Sequence, residues 1–174
     1  KTAVQQNVLI AELNSPLKNN VKFVLNANAK RNKVIWRFSD NRAGHDGQSI
    51  GFVSALQERV DCKIYNIHVP FPLSSYASAV LKKLPLVSHL PNPDLLVGAG
   101  HASHFPMLLS RLLRGGRTLV IMTPTLPTQL FDFCLIPEHD EKERSRNIIP
   151  TIGPLNTIRA STQLSETEGL IVLG

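Results

Sequence analysis

From residue 33 onward, short apolar runs alternate with stretches whose apolar residues recur at helical spacing, and that alternation predicts the architecture. Residues 34–38, 62–69, 94–97, 118–122, 133–136 and 148–152 read as six strands. A helix is expected to begin near Gly47, with Ile50, Val53, Ala55, Leu56 and Val60 mostly on one face. A second is expected over 74–84, where Tyr76, Ala77, Val80, Leu81 and Leu84 share a side, and a third from about 102 to 114, stopped by Gly115 and Gly116. Pro70 and Pro72 end the second strand, because proline cannot donate to a central ladder. Strands separated by helical or loop crossovers imply an α/β fold, a doubly wound Rossmann-like parallel sheet over residues 33–156.

The flanks read differently. Residues 1–32 hold two apolar runs, 7–13 and 21–25, separated by NSPLKNN, which suggests a loose hairpin or two edge strands with no function attached. The chain opens at Lys1 rather than Met, as a fragment or a processed end would. Residues 157–169 are polar and read as a linker. Residues 170–174 then either complete this sheet or, as the polar connector favours, open a second domain.

Polar clusters at 39–48, 98–104, 123–125, 137–140 and 153–156 all follow the carboxyl end of a strand, the rim where an open parallel sheet binds ligands. In the first cluster Gly44 and Gly47 bracket His45 and Asp46, where the chain is expected to reverse sharply. The helix that follows would offer unpaired N–H groups to an anion. Gly98, Gly100 and Ser103 approximate a G-x-G-x-x-G turn with Ser in the last place, an incomplete dinucleotide fingerprint. His45, His101, His104 and His139 gather on the same rim with Asp40, Asp46 and Asp140. His101 and His104 are three apart and would share a helical face, but no recognised ligand motif such as H-E-x-x-H is present and no metal is expected. A G-x-S-x-G nucleophile motif is absent as well. His45, at a helix N-terminus, suits proton transfer near neutral pH or hydrogen bonding to a phosphate or sugar hydroxyl.

Four stretches in order, IWRFSDNRAGHDGQSIG, PDLLVGAGHASH, FDFCLIPEHD and NIIPTIGPLN, resemble the successive motifs of the elongated-mitochondria family, the plant mitochondrial-fission factor and its bacterial homologues. The resemblance covers residues 33–156 and implies a two-domain architecture like that of GT-B glycosyltransferases. This chain would then be the amino-terminal, acceptor-side half, with Gly44, His45 and Gln48 matching the loop after the first strand. Two functions follow. One is transfer of a sugar from a nucleotide-sugar donor to an acceptor, lipid-linked or of the cell envelope, by an inverting mechanism with His45 or Asp46 as the base. Asp40, Gly44, Gln48, Gly98, Gly100, His101, Ser103, His104, Thr123, His139, Asp140 and Asn156 would bind substrate, with the nucleotide sugar as co-substrate and no other cofactor. The other is a non-catalytic fission-factor-like scaffold that binds partner proteins at a membrane.

Composition narrows the partners. At 174 residues, 43 % hydrophobic and 18 % charged, the chain suits one complete globular domain. Residues 1–122 carry 15 Lys and Arg against 6 Asp and Glu, net +9, whereas residues 123–174 carry 4 against 7, net −3. The basic part predicts an anionic partner. Aromatics are only 6 % and interleave with no basic motif, so no nucleic acid is expected. No apolar run reaches the roughly 20 residues of a membrane span. The basic, apolar stretch 70–87 predicts a surface that borders an acceptor or lies against a membrane. Cys62 and Cys134, both inside strand-like runs, predict buried thiols in a reducing compartment, hence a cytoplasmic protein, peripheral to a membrane if that surface is used.

Overall fold

The computed structural model of the protein describes residues 32–69, 89–140 and 145–158. The hairpin expected in 1–32, the helix over 74–84, the surface at 70–87, the strand at 170–174 and all of the linker but residues 157 and 158 lie outside them. Six strands form one parallel sheet: β1 (Lys33–Ser39), β2 (Cys62–His68), β3 (Leu95–Ala99), β4 (Arg117–Ile121), β5 (Phe133–Pro137) and β6 (Ile148–Thr151). Their spatial order is β2-β1-β3-β4-β5-β6, every pair parallel. The expected doubly wound α/β fold is therefore the observed one.

The two sides of the sheet follow from alternation along each strand. On one side Ile35, Leu95, Val97, Leu119, Ile121, Leu135 and Ile149 form a core with Val53 and Leu56 of helix α1 (Ala43–Gln57). On the other, Val34, Trp36, Phe38, Leu96, Val120, Cys134 and Ile136 pack with Met107 of helix α2 (His104–Arg114). Helix α2 stops at Gly115, whose φ of 76° lies in the left-handed region that glycine adopts without a Cβ penalty. Residue 150 of the edge strand β6 is a proline, which limits further pairing there.

The chain passes from β1 to β2 on one side of β1 and then crosses to β3 on the other, so the strand order reverses between β1 and β3. In open α/β sheets this switch point opens a crevice at the carboxyl ends of the two strands. Phe38 pairs with Gly98, so the turns that begin at Asp40 and Gly100 leave neighbouring strand ends.

Two local expectations need correction. Helix α1 begins at Ala43, four residues ahead of Gly47, so Gly44 and Gly47 are helical and the reversal happens earlier. Asn41 makes it, at φ 61°, a region asparagine tolerates through local hydrogen bonds. Ser39 Oγ accepts from the Asn41 amide at 3.2 Å, and Asp40 Oδ1 accepts from the Arg42 amide at 3.2 Å. Along this helix Ser49, Val53 and Leu56 are the buried positions, and Ile50 lies outside the buried stripe, 38 % exposed.

Candidate functional site

The turn that reverses the chain also builds the site. Asp40 is the first residue past β1, and its side chain is only 2 % exposed. One carboxylate oxygen caps the turn; the other, Oδ2, lies 2.8 Å from Nδ1 of His45 in the first turn of α1. A carboxylate only accepts, so it orients the ring with Nδ1–H toward itself and leaves the Nε2 lone pair as the basic position of the neutral imidazole. Nε2 has no hydrogen-bond partner among the described residues. The Arg42 guanidinium stands 3.9 Å from the same Asp40 oxygen at the exposed edge of the pair.

Gly100 closes the other side of this pair. Its φ is 77°, and a Cβ there would collide with Nδ1 of His45. Only a glycine therefore lets the β3 turn approach the imidazole this closely. Ser103 tucks over Gly98, where a Cβ would lie 2.5 Å from Ser103 Oγ, and its hydroxyl donates to the Gly100 carbonyl at 2.7 Å. Ser103 is fully buried, so its hydroxyl is spent inside the turn rather than presented to the crevice.

Helix α1 is itself clamped to the sheet by a buried cation. Arg37, an arginine within the apolar β1, donates through its terminal nitrogen to Asp46 and to Ser49, each at 2.9 Å, and through Nε to Asn66 of β2 at 2.7 Å. Asp46 is therefore an ion-pair partner of Arg37, and the carboxylate on His45 is Asp40. No side chain caps the N-terminus of α1, and Asp46 in its first turn suits the helix dipole.

The remaining expected residues divide by position. His104 opens α2 and is 2 % exposed, whereas His101, in the preceding 3-10 turn His101–Ser103, is exposed; the two do not share a face. The His104 ring meets Phe131 edge-on at 5.3 Å between centroids, with Nδ1 3.4 Å from Thr125 Oγ1. Burial, helped by the nearby His101 and His45, lowers its pKa from 6.5 to about 4. Gln48 lies one turn beyond Gly44 along α1. Thr123, after β4, is exposed, and so are His139 and Asp140 in the turn Glu138–Asp140 after β5, where they stand 3.8 Å apart. No hydrogen bond or ion pair among the described residues ties Gln48, Thr123, His139 or Asp140 to the Asp40–His45 pair. Asn156 is elsewhere too: its carbonyl packs on Gly51 of α1, and its side chain accepts from the Ile158 amide at 2.9 Å. Among the described residues no group of three or more His, Cys, Asp or Glu could hold a metal ion.

Residues 43–170 match the family described as Mitochondrial fission ELM1. This chain belongs to that family. The match begins with α1, so it includes His45 and the β3 turn and runs past the end of the sheet, while β1 and the turn with Asp40 precede it. An uncharacterized protein of Rickettsia prowazekii (strain Madrid E) is 26 % identical over an alignment of 117 residues that covers 63 % of this chain and 33 % of that protein. The chain thus spans about a third of the curated relative it matches. Among solved structures, a probable glycerol dehydrogenase from Sinorhizobium meliloti 1021 is similar with a TM-score of 0.34 at 16 % identity, over 62 % of this chain and 26 % of that one. The fold assignment rests on the strand order rather than on that likeness.

The sequence points to His45, Gly100 and His104, and it offers His45 and Asp46 as alternative bases without pairing His45 with Asp40. The signal for Asp40 is the D-x-x-x-x-H spacing across the turn, which works only if the helix starts at Ala43. Arg37 and Thr125 were not singled out. A lone arginine in an apolar strand was the signal for the first.

Proposed function

We propose that this ELM1-family chain is the acceptor-side half of a glycosyltransferase of GT-B type, and that the β1–β3 crevice binds the hydroxyl that receives the sugar. The observation that carries the proposal is the 2.8 Å contact between buried Asp40 and His45 at the switch point, with Nε2 left open. In the reaction, the acceptor oxygen attacks the anomeric carbon as the bond from that carbon to the nucleoside diphosphate breaks. The leaving group keeps the electron pair, and the acceptor proton passes to His45 Nε2. Asp40 stabilises the imidazolium that results. A base so placed contributes about 10²–10⁴-fold. The nucleotide-sugar donor would bind outside this chain, as the GT-B resemblance implies. On this reading the protein works from the cytoplasmic side, peripheral to the membrane when its acceptor is lipid-linked. Among the described residues no helix is long and apolar enough to cross a membrane.

One observation favours the scaffold reading. Phe105, Leu112 and Leu113 of α2 are 49 %, 81 % and 49 % exposed, next to Leu130 at 44 %, an apolar strip that a partner protein could cover. The two readings separate in one assay. The full-length protein is incubated with a panel of nucleotide sugars and a membrane lipid extract, and release of nucleoside diphosphate is followed. Acceptor-dependent release supports the transferase; a folded protein that releases none from any donor supports the scaffold.

A further inference from the structure

His104 is a second imidazole on the same rim, near enough to His45 to feel its charge, and its surroundings differ from those of His45. It sits at the first position of α2, immediately behind the turn that carries Gly100, close enough to His45 and His101 for their charges to bear on it. No carboxylate among the described residues bonds to it. Its Nδ1 faces the hydroxyl of Thr125, which follows β4, and its ring edge is wedged against Phe131. Nε2 has no hydrogen-bond partner among the described residues. The one buried side-chain nitrogen or oxygen without a partner among those residues is Trp36 Nε1. The small exposed part of the His104 side chain, 2 % of the residue, must therefore include Nε2. A nearly buried ring thus keeps Nε2 in touch with solvent, at the first position of an 11-residue helix.

Resting on the acceptor-side reading above, we propose that His104 is a specificity-determining residue of the crevice, and that its Nε2 hydrogen-bonds a neutral hydroxyl of a sugar or polyol acceptor rather than an anionic oxygen. The chemistry of the Thr125–His104 pair argues for a hydroxyl. The threonine hydroxyl rotates: it donates to Nδ1, leaving Nε2–H as a donor, or accepts from Nδ1–H, leaving Nε2 as an acceptor. A sugar hydroxyl is likewise both donor and acceptor and fits either state. A phosphate or carboxylate oxygen fits only the first, and it would bring charge to a residue that is almost wholly out of water. Burial keeps the ring uncharged through the neutral range, so the same contact is offered to a hydroxyl at any pH there. His45 and His104 then divide the work. The first takes the proton from the attacking hydroxyl, and the second reads another hydroxyl of the same acceptor.

The test uses the full-length protein with ¹⁵N-labelled histidine imidazoles, each signal assigned by its loss in His45→Gln and His104→Gln. The probes are a panel of neutral methyl glycosides and, separately, inorganic phosphate. The proposal expects the glycosides to shift the His104 Nε2 signal and phosphate to leave it in place. A His104 signal that follows phosphate, or that neither probe moves, overturns it. In the transfer assay His104→Gln should raise the acceptor KM roughly tenfold, the equivalent of one hydrogen bond, with kcat close to wild type. A matched fall in kcat with KM unchanged contradicts a role in acceptor selection. The two proposals fail separately. Glycosides that move His45 but not His104 remove this inference and leave the dyad, whereas shifts at His104 in a protein that transfers no sugar remove the transferase and leave a glycoside-binding site.

Discussion

Acidification should destabilise this domain through His104, by an amount that its burial sets. Above pH 6.5 the imidazole is neutral in both the folded and the unfolded chain and contributes nothing. Between about 4 and 6.5 the unfolded chain takes up a proton that the folded one refuses, so the unfolded state binds more protons and stability falls as pH falls. Within that window each pH unit costs about 1.4 kcal/mol, and the descent from pH 7 to pH 5 removes roughly 2 kcal/mol. Below about 4 both states are protonated and the loss levels off. Other groups titrate over the same range, so the informative quantity is the difference between wild type and His104→Gln, which has nothing to protonate at that position. Urea denaturation of both proteins at a series of pH values measures it. The stability difference should shift toward the variant by roughly 2 kcal/mol between pH 7 and pH 5. Parallel pH profiles, or a His104 imidazole that titrates near 6.5 by NMR, would refute the reasoning.

Three further outcomes can be checked by denaturant melts. Gly100→Ala places a methyl group against His45 at a positive φ, so it should cost about 1–3 kcal/mol and lower transfer as well, because the imidazole must turn away. Arg37→Met leaves Asp46, Ser49 and Asn66 without their buried donor; with Asp46 24 % exposed, the loss should be about 2–3 kcal/mol, and adding Asp46→Leu should recover most of it in a double-mutant cycle. Gly51→Ala gains up to about 1 kcal/mol of helix propensity. It also drives a methyl into the Asn156 carbonyl, so the net effect should be destabilising, with faster proteolysis at residues 153–158.

The sheet was legible because a parallel strand buried on both faces is apolar at nearly every position. All seven residues of β1 are buried, and the strand is visible as the run 34–38. Its three polar exceptions are Lys33, Arg37 and Ser39; Arg37 clamps α1 and Ser39 holds the turn, and apolar runs alone do not explain them. The helix start was misread because Gly44 and Gly47 look like turn residues, although nothing lies within 4 Å of where either would carry a Cβ. The glycine that the geometry does require, Gly100, owes its place to a contact with His45, 55 positions earlier in the chain, and no local pattern encodes such a contact. The same holds for His104. Its spacing from His101 suggests a shared face, but the 3-10 turn between them exposes one ring and buries the other. Asn156 shows the converse: it follows a strand end, yet its segment runs back to pack on Gly51, away from the rim.

The central claim is that His45, held by Asp40, takes a proton from a sugar-accepting hydroxyl. His45→Gln keeps an N–H that can reach Asp40 while removing the base, so it separates chemistry from folding. In the full-length protein, acceptor-dependent release of nucleoside diphosphate and thermal melting are measured side by side. The account predicts release slowed by about 10²–10⁴-fold at an unchanged melting temperature. A variant that melts like wild type and transfers sugar at the wild-type rate would contradict it.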